Sequence, residues 1–298
     1  MANLLNANTL APRYKAVSIK DPEVLNEAIR PFHHAAQYIA MAGKAYLAHM
    51  DDDSHTNMAW DGKKNAYTGR PITGSSIFYL ALETNDFTLA LADAGKEEWP
   101  RLPLHGKTRE EVLAWLQSEV EKRGLNPELL KWDLHYEIPH YEYDDGKPYA
   151  IPEKEVQNDL AAYRSNANII LGNIGLRFKD SSEVRIWPHH FDSGLFIPYG
   201  KDQEGNVTKG IYAGWNIADE HVPEPYFYIT FYPWDHVRPV QLPGLLSKGH
   251  WHTNGFYGIF LKSTVLASIP SAKEQFYQLR EFFDEGIDKA IRIMNMAK

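Results

Sequence analysis

Histidine is the residue type in this chain whose spacing comes closest to a metal-binding pattern. The chain has 13 histidines, and two of them, His250 and His252, are separated by one residue. On an extended backbone, residues i and i+2 point to the same side, so both imidazoles can reach one metal ion. One alternative hypothesis is therefore a metal-dependent hydrolase in which His250 and His252 bind the metal together with a further histidine or carboxylate from elsewhere in the chain, while the competing interpretation gives both histidines structural roles.

Two adjacent histidine pairs, at 33–34 and 189–190, fit metal binding less well. Neighbouring residues on a strand face opposite sides, and neighbours on a helix diverge by about 100°. For these pairs the sequence favours ordinary structural roles.

A sheet face with aromatic and polar side chains is a second candidate site. On a strand predicted at 226–232, Phe227, Ile229 and Phe231 form an apolar side and tyrosines form the other. A tyrosine offers an apolar ring and one hydroxyl, so such a face can contact a ligand's surface and bond its edge. We predict binding, with or without turnover, of a small polar or aromatic ligand. The predicted ligand-binding residues are Arg185, Trp187, His189, Asp192, Tyr212, Glu224, Tyr226, Tyr228 and Tyr232. In the alternative interpretation, helices cover this face and each hydroxyl bonds within the protein.

Several familiar catalytic motifs are absent. The chain has no cysteine, which excludes disulfides, thiolate metal sites and cysteine nucleophiles. It has no G-x-G-x-x-G, H-E-x-x-H or G-x-S-x-G motif, and Arg101 stands where a phosphate loop ending in Gly106-Lys107-Thr108 needs glycine. The sequence assigns no reaction and no cofactor. A third hypothesis is a non-catalytic interaction protein with an exposed aromatic patch.

Composition limits the class of protein. The 298 residues are 44% hydrophobic, and the net charge is −8. An acidic chain without long basic clusters argues against nucleic-acid binding. With no secretion signal and no long apolar run, we expect a cytoplasmic protein without membrane insertion. The sequence does not predict the oligomeric state.

The first half is predicted to begin with a long amphipathic helix. Asp21 is a candidate N-cap, Pro22 fits the first helical position, and apolar residues follow at 3.6-residue spacing up to Met50. His33 flanks the apolar stripe, which predicts a buried, hydrogen-bonded side chain. His34 lies opposite the stripe, which predicts a surface or interface position.

Shorter elements complete this half. They are a strand at 54–60, a loop at 62–74, a hairpin of 75–83 with 87–92, a helix with a capping box at Thr108–Glu111 and a terminating Gly124, and a strand at 132–138.

A turn-rich connector at 139–152 separates this half from a second series of elements. The second series has a long helix from Pro152, strands at 183–192, 210–217, 226–232 and 256–262, and a last helix capped by Ser271 and Glu274. We predict an α+β fold with mostly antiparallel sheets, divided into an extension (1–20), a first half (21–138) and a second half (139–298). The similar order of elements favours an internal duplication.

Part of the second half is similar to a bacterial domain-of-unknown-function family. Residues 223–233 resemble its P-E-x-x-F-Y-x-Y-x-Y-P segment, and Phe191-Asp192 resembles the end of its V-H-F-F-W-G-S-F-D strand, with Arg185 in place of that strand's histidine. His55 stands where members have a histidine on their first strand, and 68–72 resembles their T-T-S-P-I turn. The resemblance implies an α+β fold and a bacterial origin, and it implies no activity.

Overall fold

The computed structural model describes residues 7–93, 98–233, 242–254 and 257–296. It shows an α+β fold in which helices accompany two antiparallel sheets, and this confirms the predicted fold class. The helices are α1 (Ala7–Leu10), α2 (Pro22–Tyr46), α3 (Arg109–Glu121), α4 (Lys154–Gly175), α5 (Ser263–Ala267) and α6 (Ala272–Met296). None of the helices in these ranges combines the length and the apolar character that crossing a bilayer requires.

The strands range from two to ten residues in length. They are β1 (Ala59–Asp61), β2 (Ala66–Thr68), β3 (Ile72–Thr73), β4 (Ile77–Glu83), β5 (Thr88–Asp93), β6 (Arg101–Pro103), β7 (Arg185–Trp187), β8 (Asp192–Lys201), β9 (Val207–Asn216), β10 (Tyr226–Tyr232), β11 (His250–His252) and β12 (Gly258–Lys262).

The chain divides into two compact units, each assembled from separate stretches of sequence. Unit 1 contains the residues up to Asn26, Ala162–Val184 and the residues from Asp192 onward. Unit 2 contains Glu27–Ala161 and Arg185–Phe191. These limits differ from the boundary predicted between residues 138 and 139.

Unit 2 is built on α2 and on a sheet with the strand order β1-β2-β4-β5-β6, in which β3 also pairs with β4. The predicted hairpin is present as β4 and β5. Thr108 caps α3: its side chain accepts from the backbone nitrogen of Glu111, and the Glu111 side chain accepts from the Thr108 nitrogen, so the predicted capping box is confirmed.

Two predictions for the sheet of unit 2 are wrong in their limits. The stretch predicted as a loop at 62–74 contains β2 and β3, where Tyr67 and Ile72 are buried in the core. The strand predicted at 54–60 is present only as β1, because residues 51–56 form turns.

The strand predicted at 132–138 is absent, although the alternation that suggested it is real. Residues 132, 134, 136 and 138 are half-buried and those between them are exposed, yet the segment belongs to neither sheet. Its side chains pack on α2 instead: the Trp132 ring stacks on His34 with centroids 4.5 Å apart.

This packing also overturns the surface position predicted for His34. The His34 side chain is fully buried, because the irregular segment covers the face of α2 that lies opposite the apolar stripe. His33 is buried and hydrogen-bonded at both ring nitrogens, as predicted.

Unit 1 has a sheet in which the strands lie in the order β11-β12-β10-β9-β8. The predicted strand at 226–232 is present with the predicted limits, and α6 packs on its apolar side, where Phe227 contacts Phe283. Ser271 caps α6 through the backbone nitrogen of Glu274, as predicted.

The strand predicted at 183–192 is interrupted. Only β7 and the first residue of β8 are extended, and residues 188–191 form a turn. Pro188 has no backbone N–H for a ladder. Phe191 adopts φ 52° and its nitrogen donates to the carbonyl oxygen of Trp187 at 2.7 Å, so the chain bends at this point. The strand predicted at 256–262 is present as β12, but its first residue lies outside the described residues.

Candidate metal centre

The residues of unit 2 include one group of side chains arranged for metal binding. His49, Asp53 and His55 each offer a ligand atom, and these atoms all lie within 4.8 Å of one another. Across the ranges that the structure describes, this is the one group of three or more histidine or acidic side chains with such spacing. We call these three residues the His-Asp-His cluster.

A tight loop after α2 brings the three side chains together. Asp53 adopts φ 58°, a left-handed conformation that aspartate tolerates better than most residues. The Asp53 nitrogen donates to the carbonyl oxygen of Met50 at 2.9 Å, and the Thr56 nitrogen donates to that of Asp53 at 2.9 Å. These two turns fold the seven residues from His49 to His55 back on themselves.

Gly43 allows this loop to lie directly on α2. A Cβ atom at Gly43 would stand 2.3 Å from the carbonyl oxygen of His55, which is far inside van der Waals contact. The buried position of His55, with 7% of its surface exposed, therefore depends on a glycine one turn before the end of the helix.

His135 completes the surroundings of the cluster. Its Nε2 lies 2.9 Å from Asp53 Oδ1, and its ring is nearly parallel to that of His55, with centroids 6.3 Å apart. Ligating carboxylates in metal sites are commonly held by such outer hydrogen bonds. The arrangement can therefore fix the orientation of the Asp53 carboxylate.

The turn at 188–191 places two more histidines in unit 2. Met58 and Ile186 exchange backbone hydrogen bonds of 2.9 and 2.8 Å, which holds β7 beside the end of the loop. In the turn, the rings of His189 and His190 are 4.4 Å apart, and His189 packs against Tyr136 at 5.5 Å.

Two of these histidines, His55 and His189, have a lowered pKa. Burial lowers the pKa of His55; Asp53 opposes this effect, and the neighbouring His49 and His135 add to it. Burial also lowers the pKa of His189 to about 4, with His190 adding to the effect and Asp53 opposing it. A metal ion binds the neutral imidazole and not the imidazolium, so the lowered pKa of His55 favours metal binding.

The residues predicted to bind a ligand are divided between the two units. Unit 2 holds Arg185, Trp187 and His189, and unit 1 holds Asp192, Tyr212, Glu224, Tyr226, Tyr228 and Tyr232.

Within unit 1, two of the predicted tyrosines are bonded to carboxylates. The Tyr228 hydroxyl donates to Asp192 Oδ2 at 2.5 Å, and the Tyr226 hydroxyl donates to Asp219 Oδ2 at 2.6 Å. Tyr226 also accepts from Asn216 Nδ2 at 3.2 Å. Burial raises the pKa of both phenols, and the carboxylates add to the effect. These hydroxyls are satisfied by side chains of the same unit.

The other predicted residues of unit 1 have separate roles. Glu224 is buried and accepts from the backbone nitrogen of Thr264 at 3.0 Å, at the beginning of α5. The ring of Tyr212 lies 4.5 Å from that of Phe196, and the ring of Tyr232 lies 6.2 Å from the same phenylalanine.

His250 and His252 lie on β11, so they do share one side of a strand. His252 Nε2 contacts the carbonyl oxygen of Asn254 at 2.7 Å, and its ring stacks on Phe260 at 4.9 Å. Neither histidine belongs to a group of three candidate ligands among the described residues.

Sequence reasoning missed His49, Asp53 and His135. The spacing H-x3-D-x-H at 49–55 was a usable signal, because two imidazoles and a carboxylate within seven residues can meet at one turn. His135 has no local signal, since it is 82 residues from its partner Asp53.

Comparison with known proteins gives no family for this chain. No protein-family model, no curated protein and no solved structure matches it.

Proposed function

We propose that the protein binds one divalent transition-metal ion through the His-Asp-His cluster and uses that ion for chemistry. The observation that carries the proposal is the convergence of the three ligand atoms to within 4.8 Å of one another. Ligands of a tetrahedral ion with bonds of 2.0–2.1 Å stand about 3.4 Å apart. The three ligand atoms therefore have to come closer together when the metal binds. Most of this movement falls to the His49 side chain, which is 72% exposed and can rotate.

The donor set favours zinc or iron(II). Two imidazoles and one carboxylate occur in zinc sites that hydrolyse bonds, and also in iron(II) sites that activate oxygen. Both kinds of site keep at least one position open for water or substrate. The cluster has three protein ligands, one of which is the exposed His49, so it matches this open type. Closed structural zinc sites have four protein ligands instead.

The His55 ring must change its proton position when it binds through Nε2. Its Nδ1 accepts from the backbone nitrogen of Met50 at 3.3 Å, so the proton of the neutral ring is on Nε2. Coordination through Nε2 moves that proton to Nδ1 and gives up the contact with Met50, which is long and therefore weak.

The direct test is metal titration of protein freed of metal with a chelator. Competition with a chromogenic chelator should show one equivalent of bound zinc, and anaerobic titration with iron(II) decides between the two metals. Cobalt(II) should give a visible absorption spectrum of a four- or five-coordinate site. His49→Ala and His55→Ala should each weaken binding by more than about 100-fold, beyond the 10–100-fold that outer partners contribute.

The double variant His250→Ala, His252→Ala is the matched control, because it also removes two neighbouring histidines, but ones that lie on β11 and outside the His-Asp-His cluster. It should bind metal as the unaltered protein does. If this double variant lost metal binding and His49→Ala kept it, the metal site would lie on β11 and the proposal would be refuted.

The sequence-based alternative of ligand binding at the tyrosine face stays a prediction, and so do the internal repeat, the bacterial origin and the cytoplasmic location. In the ligand-binding alternative, a ligand would have to compete with Asp192 for the Tyr228 hydroxyl.

A further inference from the structure

A single buried amide on α2 bonds both the segment that carries His135 and the turn at 188–191. Gln37 is fully buried. Its Nε2 donates to the carbonyl oxygens of Pro188 and His33, each at 2.9 Å. Its Oε1 accepts from the Tyr136 hydroxyl at 2.8 Å. Both N–H groups and the carbonyl oxygen of the Gln37 amide are therefore hydrogen-bonded.

Tyr136 and Pro188, two of the residues that this amide bonds, are each next to a histidine in the sequence. Tyr136 follows His135, whose Nε2 contacts Asp53 Oδ1 at 2.9 Å. Pro188 precedes His189 in the turn at 188–191. The Tyr136 and His189 rings also contact each other, with centroids 5.5 Å apart. Gln37 thus sets the separation between the segment that carries His135 and the turn that carries His189.

We propose that Gln37 is a positioning residue of the metal centre. It holds Tyr136, and through it His135, so that His135 keeps the Asp53 carboxylate turned toward His49 and His55. This inference rests on the proposed function, since it concerns the affinity of that site for its metal.

Glutamine suits this position better than glutamate or methionine, which have similar size. Glutamate would place a second oxygen against two carbonyl oxygens, and methionine would fill the space without bonding either segment. Neither change replaces a residue of the cluster itself.

Gln275 supplies a matched control in unit 1. It is also buried, its Nε2 donates to the carbonyl oxygens of Val17 and Ile269 at 2.8 and 2.9 Å, and its Oε1 accepts from the Val17 nitrogen at 2.9 Å. Gln275→Met therefore also removes three hydrogen bonds, two donated to carbonyl oxygens and one accepted, but it does so in unit 1.

The experiment measures zinc affinity by chelator competition for Gln37→Met, Tyr136→Phe and Gln275→Met. We expect Gln37→Met and Tyr136→Phe to weaken zinc binding by about 10-fold or more, as loss of outer partners does. Gln275→Met should bind zinc as the unaltered protein does. The cobalt(II) spectrum should shift in the first two variants, because the carboxylate changes its orientation.

A double-variant comparison separates positioning from general loosening of the fold. If Gln37 acts through His135, then Gln37→Met should add little to the loss of affinity in His135→Ala. Additive losses, or equal losses in Gln37→Met and Gln275→Met, would overturn the inference. If Gln37→Met retains full affinity, the inference is also wrong, while metal binding by the unaltered protein leaves the proposed function standing. If the unaltered protein binds no metal, both fall.

Discussion

The pH dependence of stability that His34 should impose is a sharp test of the polar core of unit 2. The side chain is 0% exposed and both ring nitrogens are bonded. Nδ1 lies 2.5 Å from the Tyr149 hydroxyl and Nε2 lies 3.2 Å from Asp144 Oδ1. A carboxylate can only accept, so the neutral ring donates from Nε2 and accepts from Tyr149 at Nδ1. Burial lowers the pKa of His34 to about 4, although Asp144 opposes this effect.

The charged groups around the ring do not reverse this shift. Arg109 adds to the lowering of the His34 pKa, and Glu110 opposes it together with Asp144. An ordinary histidine titrates near pH 6.5. As pH falls through the window from 6.5 to 4, the unfolded chain takes up a proton that the folded protein excludes. The resulting loss in the free energy of unfolding is about 2 kcal/mol between pH 7 and pH 5, and about 3 kcal/mol by pH 4.

The assay is urea unfolding at pH 7, 6 and 5 for the unaltered protein and for His34→Gln. Glutamine retains an N–H that can reach Asp144, but it does not titrate. Contributions from His189 and from exposed groups are common to both proteins and cancel in the comparison. The stability difference between the two proteins should therefore shrink by about 2 kcal/mol from pH 7 to pH 5. A difference that stays constant over this range would refute the reasoning, and an NMR titration of the imidazole provides an independent check near pH 4.

Two further substitutions test particular contacts. Gly43→Ala places a methyl group 2.3 Å from the carbonyl oxygen of His55, so it should displace the loop and weaken zinc binding by about 10-fold or more. Gly172→Ala in α4 is the control, because a Cβ atom there meets nothing within 4 Å. It should leave zinc binding unchanged and raise the free energy of unfolding by up to about 1 kcal/mol. Tyr228→Phe should keep the fold but lower the free energy of unfolding by about 1–3 kcal/mol, because the Asp192 carboxylate loses this hydroxyl donor. Urea unfolding measures the change, and an unchanged midpoint would contradict the prediction.

Local patterns predicted the elements whose partners are close in sequence. The hairpin of β4 and β5 and the capping box of α3 are encoded within about 20 residues, and both are confirmed. Alternation also predicted β10 with its limits, since its two faces differ clearly in polarity. The same reasoning failed at 132–138, where alternating burial arises from packing on a helix. A period of two residues shows that one side is buried, but not what buries it.

The candidate metal centre was only partly within reach of the sequence. His49, Asp53 and His55 lie within seven residues, but their convergence depends on the left-handed Asp53 and on the close approach that Gly43 permits. Neither property can be read from residue types alone. The partner that orients Asp53, His135, is brought in by an irregular segment whose position is set by tertiary contacts.

Helix α2 shows why a prediction of one buried face misplaced His34. Its apolar stripe predicts one buried face, and the structure buries the opposite face as well, under a segment that contains Trp132. His34 lies on that second face, and His33 and Gln37 lie beside it, each of the three at 0% exposure. Apolar side chains could fill this space without needing partners, and buried polar groups must all be bonded if the fold is to stay stable. A fully bonded polar layer fixes the position of each partner more narrowly than apolar packing does. A narrowly fixed position of Tyr136 is what the proposed positioning role of Gln37 requires.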